Sequence, residues 1–202
     1  MMVDWQIIDA VQKGTLRISP FDRLAVQPNS YDVHLGEGVI MFDDTTDPID
    51  LHDQASINKG MLIKGGEKIV IEPNELILGT TYEYFHLPSY IAGMLNGKSS
   101  LARLGLTIHQ TGGFIDAGFC GAITLEIKNE HPRRPIVMRV GDPIGQIVFF
   151  ETMIPDVPYS HKPTAKYNNQ CATTHSRYGL NFAENCTKKT LDEINKFTMD
   201  LV

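Results

Sequence analysis

From Tyr31 to Glu151 the chain is a succession of short apolar runs cut by turn residues, and this pattern constrains its fold more than any other feature. EGVIMF, KGMLIKGGEKIVIEPNELILGTTYEYF, YIAGMLNG, GAITLEIKN and RPIVMRVGDPIGQIVFFE are rich in β-branched and aromatic residues and lack helical periodicity. Gly65-Gly66, Pro73-Asn74, Gly141-Asp142 and the stretch 129–135 supply turns. In QPNSYDVHLG, residues 27–36, a turn at Pro28–Ser30 precedes strict alternation. Tyr31, Val33 and Leu35 share one face, and Asp32 and His34 the other. Many short strands with glycine- and proline-rich connections predict an all-β fold, a barrel or sandwich. Helices should be short and peripheral. One is capped by Asp4, carries Ile7, Ile8 and Val11 as its apolar stripe and stops at Gly14. SSLARLGL forms a helical turn, TLRISPF an extended piece ended by Pro20, and LDEINKFTMDLV a final amphipathic helix. The stretch from Tyr159 to Cys171 is polar and strand-poor, which fits either a disordered tail or a flap that orders over a ligand.

With 202 residues, 42% of them hydrophobic, the chain can build a real core; length alone permits one domain or two small ones, and a single domain over 1–202 is the expectation. Its net charge of −6 argues against a general nucleic-acid binder. No apolar run approaches the length of about 18 residues that a membrane span needs, so no membrane partner is expected. MMVDWQIIDAVQKG has no basic leader region and does not read as a signal peptide. Cys120, Cys171 and Cys186 are widely spaced, make neither a disulfide framework nor a CxxC site, and suit a reducing cytoplasm.

The chemistry concentrates between Asn96 and Glu126, NGKSSLARLGLTIHQTGGFIDAGFCGAITLE. Lys98, Ser99, Ser100 and Arg103 follow the glycine turn at Gly97, and two hydroxyls and two cations there can hold an anion such as a phosphate chain. A solvated basic turn would read the same way. Asp116 lies between glycines in G-G-F-I-D-A-G-F, which suits close backbone approach to a ligand and equally suits an Asx turn. Glu126 faces away from Ile123, Leu125 and Ile127, on the side of Ala122 and Thr124. If that side is covered, burial and Arg103 would pull the carboxylate in opposite directions; if not, it is an ordinary strand glutamate. Both carboxylates can act as general acids or bases. His86, His109, His131 and Cys120 form no tight metal-ligand cluster in the sequence, and the spacing of Gly93, Gly97 and Lys98 is one residue short of a Walker loop. Phosphate donors beside two candidate bases suggest an enzyme acting on a phosphorylated small molecule, with Mg²⁺ as the metal such a ligand carries with it.

Read together, these stretches resemble the dCTP deaminase family of the trimeric dUTPase-like superfamily. QPNSYDVHLG resembles its QP-x-S-x-D-x-x-L-G block. GKSSLARLGL, residues 97–106, resembles G-R-S-S-x-x-R-L-G-L. HQTGGFIDAGFCGAITLEIKN resembles H-x-T-A-x-x-I-D-x-G-F-x-G-x-I-T-L-E-x-x-N, and GQIVF, containing Gln146, and AKYNNQ follow in family order. The likeness spans roughly residues 5 to 175. It implies a distorted β-barrel or jelly roll with short peripheral helices, assembled as a homotrimer with interfacial active sites, and a flap around 159–175 ordered by nucleotide. It also implies zinc-independent deamination of dCTP in the cytoplasm. Glu126 matches the catalytic glutamate that moves a proton between water and the cytosine ring. Ser99 and Arg103 match residues that order the water and the glutamate. Lys98, Ser100, Tyr159, Lys166 and Gln170 match triphosphate contacts. Gly112, by its backbone, and Gln146 fall in the substrate-binding set. Phe119 matches the aromatic beneath the deoxyribose, and Asp116 the aspartate near the sugar that orients water in dUTPases. The resemblance brings in dCTP and dUTP as ligands and raises dTTP as a feedback inhibitor, which the motifs leave open.

Two positions depart from the pattern: Lys98 stands where arginine is usual, and Gly112 where alanine is usual. TGGFIDAGF is closer to the T-A-G-[FW]-I-D-x-G-F of members that continue from dUTP to dUMP and pyrophosphate than to the T-A-H-R-I-D of those that stop at dUTP. A compact Gly113 in place of a histidine would let water reach the α-phosphate. The alternatives are a deaminase that stops at dUTP, a plain dUTPase, which should not need Arg103 and Glu126 together, and a non-catalytic nucleotide-binding regulator.

Overall fold

The structure is a computed structural model that describes residues 1–182; the readings of Cys186 and of LDEINKFTMDLV lie outside the described residues. A short helix α1 (Asp4–Gln12) leads into β1 (Arg17–Ser19), β2 (Val26–Gln27), β3 (Ser30–His34) and β4 (Val39–Phe42). A one-turn helix α2 (Gln54–Asn58) precedes β5 (Met61–Lys64), β6 (Lys68–Ile71), β7 (Leu76–His86) and β8 (Ile91–Gly97). The turn α3 (Ser99–Ala102) is followed by β9 (Leu106–Thr107), β10 (Phe114–Ile115), β11 (Cys120–Asn129), β12 (Ile136–Arg139) and β13 (Pro143–Glu151). The chain divides into two compact units. The larger, 1–42 with 62–174, holds nearly all the strands. The smaller has 43–61 and 175–182 as its described part; in it the His52 and Phe182 rings stack with centroids 3.8 Å apart.

In the larger unit one sheet runs β5-β4-β7-β11-β9 with β1 also on β7, a second runs β10-β8-β13-β3-β2, and β6 pairs with β12. The expected strand-dominated fold with short peripheral helices is present. It takes the form of open sheets whose outer strands are mostly short, and no closed barrel forms among the described residues. Ile77 and Phe85 of β7 and Leu125 and Ile127 of β11 come from the first sheet. Tyr31 and Val33 of β3, Leu95 of β8 and Ile147 and Phe149 of β13 come from the second. All nine enter one hydrophobic cluster, each with 2% or less of its surface exposed. At about 1.5–3 kcal/mol per buried large apolar side chain, this alternation decides which face each strand turns inward.

Two local expectations are corrected. Asp4 is the first helical residue of α1, not its cap; Val3 is the N-cap, and Gln6 Oε1 accepts the Val3 N–H at 3.0 Å, satisfying that donor from inside the helix. The buried face of α1 is Ile7 and Ala10, with Ile8 and Val11 only partly covered. Asp32 lies on the face of β3 opposite Tyr31 and Val33 as expected, yet it is buried as well, because side chains from neighbouring segments cover it.

Asn129 ends β11 and is fully buried. Its Nδ2 donates to the carbonyls of Ile71 at 3.0 Å and Arg134 at 2.9 Å, and its Oδ1 accepts the His131 N–H at 2.9 Å. It therefore ties the 129–135 turn to β6. Asn129→Ala strands these groups, and at about 1–3 kcal/mol per buried unpaired group the urea midpoint should fall by the equivalent of about 2–4 kcal/mol. An unchanged midpoint would refute this account of the turn.

Candidate active site

β11 delivers Glu126. A register shift against β7 between Ala122 and Thr124 lets Thr81 Oγ1 accept the Ile123 N–H at 2.9 Å, and beyond it strict alternation sets Thr124 and Glu126 on the outward face. Glu126 Oε2 accepts the backbone N–H of Gln110 at 3.0 Å. A Cβ at Gly112 would sit 3.6 Å from Glu126 Oε1, ordinary contact, so the turn that faces the carboxylate has room for alanine as well as glycine. Gly113 is different: its carbonyl accepts the Leu95 N–H at 2.7 Å, and a Cβ there would meet Leu95 O at 2.7 Å. A histidine cannot occupy this backbone position without moving the strand away from β8.

The segment after β13 returns to the same edge of β11. Gln170 forms a parallel bridge with Gly121, the Ala122 N–H donates to Gln170 O at 2.8 Å, and Gln170 Nε2 donates to Ala122 O at 2.7 Å and Thr124 Oγ1 at 3.2 Å. Gly121, at φ +148°, is required here: a Cβ would lie 3.1 Å from Gln170 O. Gln170 Oε1 is buried without a partner, and by alternation the side chain it reaches, Thr124, shares its face with Glu126. Asn168 Oδ1 accepts the Cys120 N–H at 3.0 Å, and Tyr159 Oη accepts the Tyr167 N–H at 3.2 Å. The Tyr159 ring tilts against Phe119 at 6.0 Å, and Phe119 is buried in the core cluster. Lys166 lies half-buried in this segment. Tyr84 Oη lies 3.3 Å from Cys120 Sγ, and that hydrogen bond, with burial, pushes the phenol up to about 12. The polar, strand-poor segment is docked on the start of β11 through Asn168, Asn169 and Gln170.

The remaining predicted residues fall in two further places. Asp116 is exposed and lines a cavity of about 280 Å³ with Phe114, Ala117, Tyr159 and Lys162. Lys98, at the end of β8, pairs with Asp32 through Nζ–Oδ2 at 2.6 Å; Gln146 accepts from Ser30 Oγ at 3.3 Å and donates to Gly97 O at 3.4 Å. Ser99, Ser100 and Arg103 are exposed on and just after α3. Neither Arg103 nor Glu126 takes part in an ion pair within the chain among the described residues. Sequence reasoning missed three groups that hold the site: Asp32, Gln27, whose Nε2 donates to Asp32 Oδ2 at 3.1 Å, and the Gln110 N–H. The QPNSYD block carried the first two as a motif but gave no partner for them, and a backbone donor leaves no mark in a sequence.

A family model described as dCTP deaminase-like matches residues 1–152. The chain belongs to the dCTP deaminase-like family. Curated relatives named dCTP deaminase, dUMP-forming, include that of Methanosphaerula palustris, 40% identical over 181 residues, covering 90% of this chain and 97% of the relative. That of Methanospirillum hungatei JF-1 is 43% identical over 88% of this chain and 96% of its own, and that of Corynebacterium glutamicum strain R is 39% identical over 90% and 98%. Among solved structures, the 2'-deoxycytidine 5'-triphosphate deaminase from Agrobacterium tumefaciens aligns with a TM-score of 0.57 at 26% identity, over 73% of this chain and 45% of that longer chain. The candidate residues lie on the outward face of β11, in the turn after β8, beside the cavity that Asp116 lines and on the segment docked on β11. Among the described residues no group of three His, Cys, Asp or Glu side chains converges to hold a metal, and no helix is long and apolar enough to cross a membrane.

Proposed function

We propose that the protein deaminates dCTP to dUTP, releasing ammonia, and then hydrolyses dUTP to dUMP and pyrophosphate. The observation that carries this reading is the outward face of β11, where Glu126, steadied by the Gln110 N–H, shares a side with Thr124 and the docked Gln170, in a chain about 40% identical to relatives named dUMP-forming. Glu126 takes a proton from water and delivers it to the cytosine ring as the oxygen attacks C4; the second proton of the water then passes to the amine, the C4–N bond breaks as the C4 carbonyl forms, and ammonia leaves. Ser99 and Arg103 order the water and the carboxylate. The site is completed between subunits of a homotrimer, which brings Arg103 of one chain to Glu126 of another; the lack of an Arg103–Glu126 ion pair within one chain, among the described residues, supports this reading. Lys98, Ser100, Tyr159, Lys166 and Gln170 hold the triphosphate, with Gly112 and Gln146 completing the substrate contacts. Phe119 supports the deoxyribose, and Asp116 orients the water that attacks the α-phosphate. Mg²⁺ would arrive on the triphosphate, where it would neutralise charge on the phosphoryl oxygens. dTTP, which shares the sugar and triphosphate, is the expected feedback inhibitor, and the cytoplasm the expected compartment. The test is to incubate pure protein with Mg²⁺ and dCTP or dUTP and measure ammonia, dUTP, dUMP and pyrophosphate. Ammonia and pyrophosphate from dCTP support the reading. Ammonia with dUTP left intact leaves the single-activity deaminase, pyrophosphate from dUTP without ammonia from dCTP leaves a dUTPase, and no product leaves a binding protein.

The segment 159–175 acts as a nucleotide-ordered flap in this reading. Limited proteolysis should cut it in the free protein and be slowed several-fold by a non-hydrolysable dUTP analogue with Mg²⁺. Equal cutting at saturating analogue would count against a flap. Truncation before Lys166 should weaken triphosphate use while the assembly, read by light scattering, stays intact.

A further inference from the structure

We propose that Asp32 is a positioning residue that holds the Lys98 ammonium at the phosphate end of the site; this rests on the reading that Lys98 contacts the triphosphate. Lysine carries a point charge on a flexible stem, so its placement needs an outside anchor. The ion pair supplies one: Nζ lies 2.6 Å from Asp32 Oδ2, with the two side chains only 23% and 11% exposed. Gln27 Nε2 donates to the same oxygen at 3.1 Å and fixes the carboxylate in turn. Asp32 Oδ1 is buried and makes no hydrogen bond, so Lys98 is the one cation the carboxylate meets among the described residues.

A second tether reaches the same turn through the backbone. Asp32 pairs with Gln146 across β3 and β13, and Gln146 with Asn96 across β13 and β8. Gln146 accepts from Ser30 Oγ and donates to the carbonyl of Gly97, the residue before Lys98. The 27–36 segment therefore grips this turn twice, by the lysine head and by the carbonyl before it. An ammonium has three donors. One is spent on Asp32, and two remain on a group that is still partly exposed, so phosphate oxygens can be added without breaking the pair. Without Asp32 the stem is free in solution, and the cost of ordering it falls on nucleotide binding. A carboxylate that merely sequestered Lys98 would have the opposite effect, since its removal would tighten binding.

The experiment is a double-mutant cycle on binding of a non-hydrolysable dUTP analogue with Mg²⁺, measured by titration calorimetry. Asp32→Asn should weaken binding about tenfold and Lys98→Ala further, and the double variant should bind no more weakly than Lys98→Ala alone. With dUMP, which lacks the β- and γ-phosphates, the Asp32→Asn effect should shrink. Asp32→Glu, which keeps a carboxylate within reach, should retain part of the affinity, and it carries the cycle if Asp32→Asn does not fold. Additive losses, or binding by Asp32→Asn that is unchanged or tighter, would overturn the proposal. Turnover of dCTP by the wild-type protein is read separately. Tight analogue binding and a coupled cycle without turnover reject the proposed reaction and keep the positioning role, whereas turnover with additive losses rejects the positioning role alone. A wild-type protein that binds no analogue rejects both.

Discussion

The Glu126→Gln protein is expected to release ammonia from dCTP about 10²-fold or more slowly than the wild type. Glutamine preserves the shape of the side chain, and its amide oxygen can still accept the Gln110 N–H that holds Glu126 Oε2 at 3.0 Å. It cannot accept a proton from water, so the variant separates proton transfer from positioning. Near-normal ammonia release with an intact thermal midpoint would remove Glu126 from the chemistry. Arg103→Ala should also be severe, because it withdraws the cation proposed to keep the carboxylate ionised and placed. Arg103 has no ion pair within its own chain among the described residues. If sites form between subunits, unfolding and refolding a mixture of the two variants should restore part of the activity that each lacks. A mixture as inactive as its components would place both residues in the same chain's site.

Asp116→Asn should lose most pyrophosphate release from dUTP, by a factor on the order of 10². Deamination needs a proton carrier at the base ring, while hydrolysis needs a water in line at the α-phosphate, where charge develops on the phosphoryl oxygens. The two carboxylates sit on different elements: Glu126 projects from β11, and Asp116, just after β10, lines the cavity beside Phe114, Tyr159 and Lys162. Supplying dUTP bypasses the first step, so Glu126→Gln should still release pyrophosphate from it. Asp116→Asn should show the reverse bias, with some loss of deamination if Asp116 also positions the sugar. Equal loss of both products in both variants would mean that the carboxylates serve one step. Wild-type protein that converts dCTP to dUTP and leaves dUTP intact would remove the second activity altogether.

What the sequence alone determined is local. Alternation along QPNSYDVHLG and GAITLEIKN set which side chains enter the core, because the two-residue period of a strand is a property of the chain itself. Turn chemistry at Gly65-Gly66 and Gly141-Asp142 marked where the strands end. The ordered motif blocks identified the family and with it the candidate residues. Tertiary structure decided what each of those residues meets. Asp32 reads only as lying on the face of a strand opposite Tyr31 and Val33, and sheet order lays it near the turn after β8, where Lys98 pairs with it and Gln27 covers it. Asn129 reads as the last residue of a motif, yet three hydrogen bonds make it the clamp of a turn. The 159–175 segment reads as polar chain, yet Gly121 leaves room for its backbone to dock on β11. These outcomes depend on which distant segments the sheets bring side by side. A hydrogen bond or ion pair forms only when both partners arrive within about 3 Å, and no local pattern in a sequence encodes that arrival.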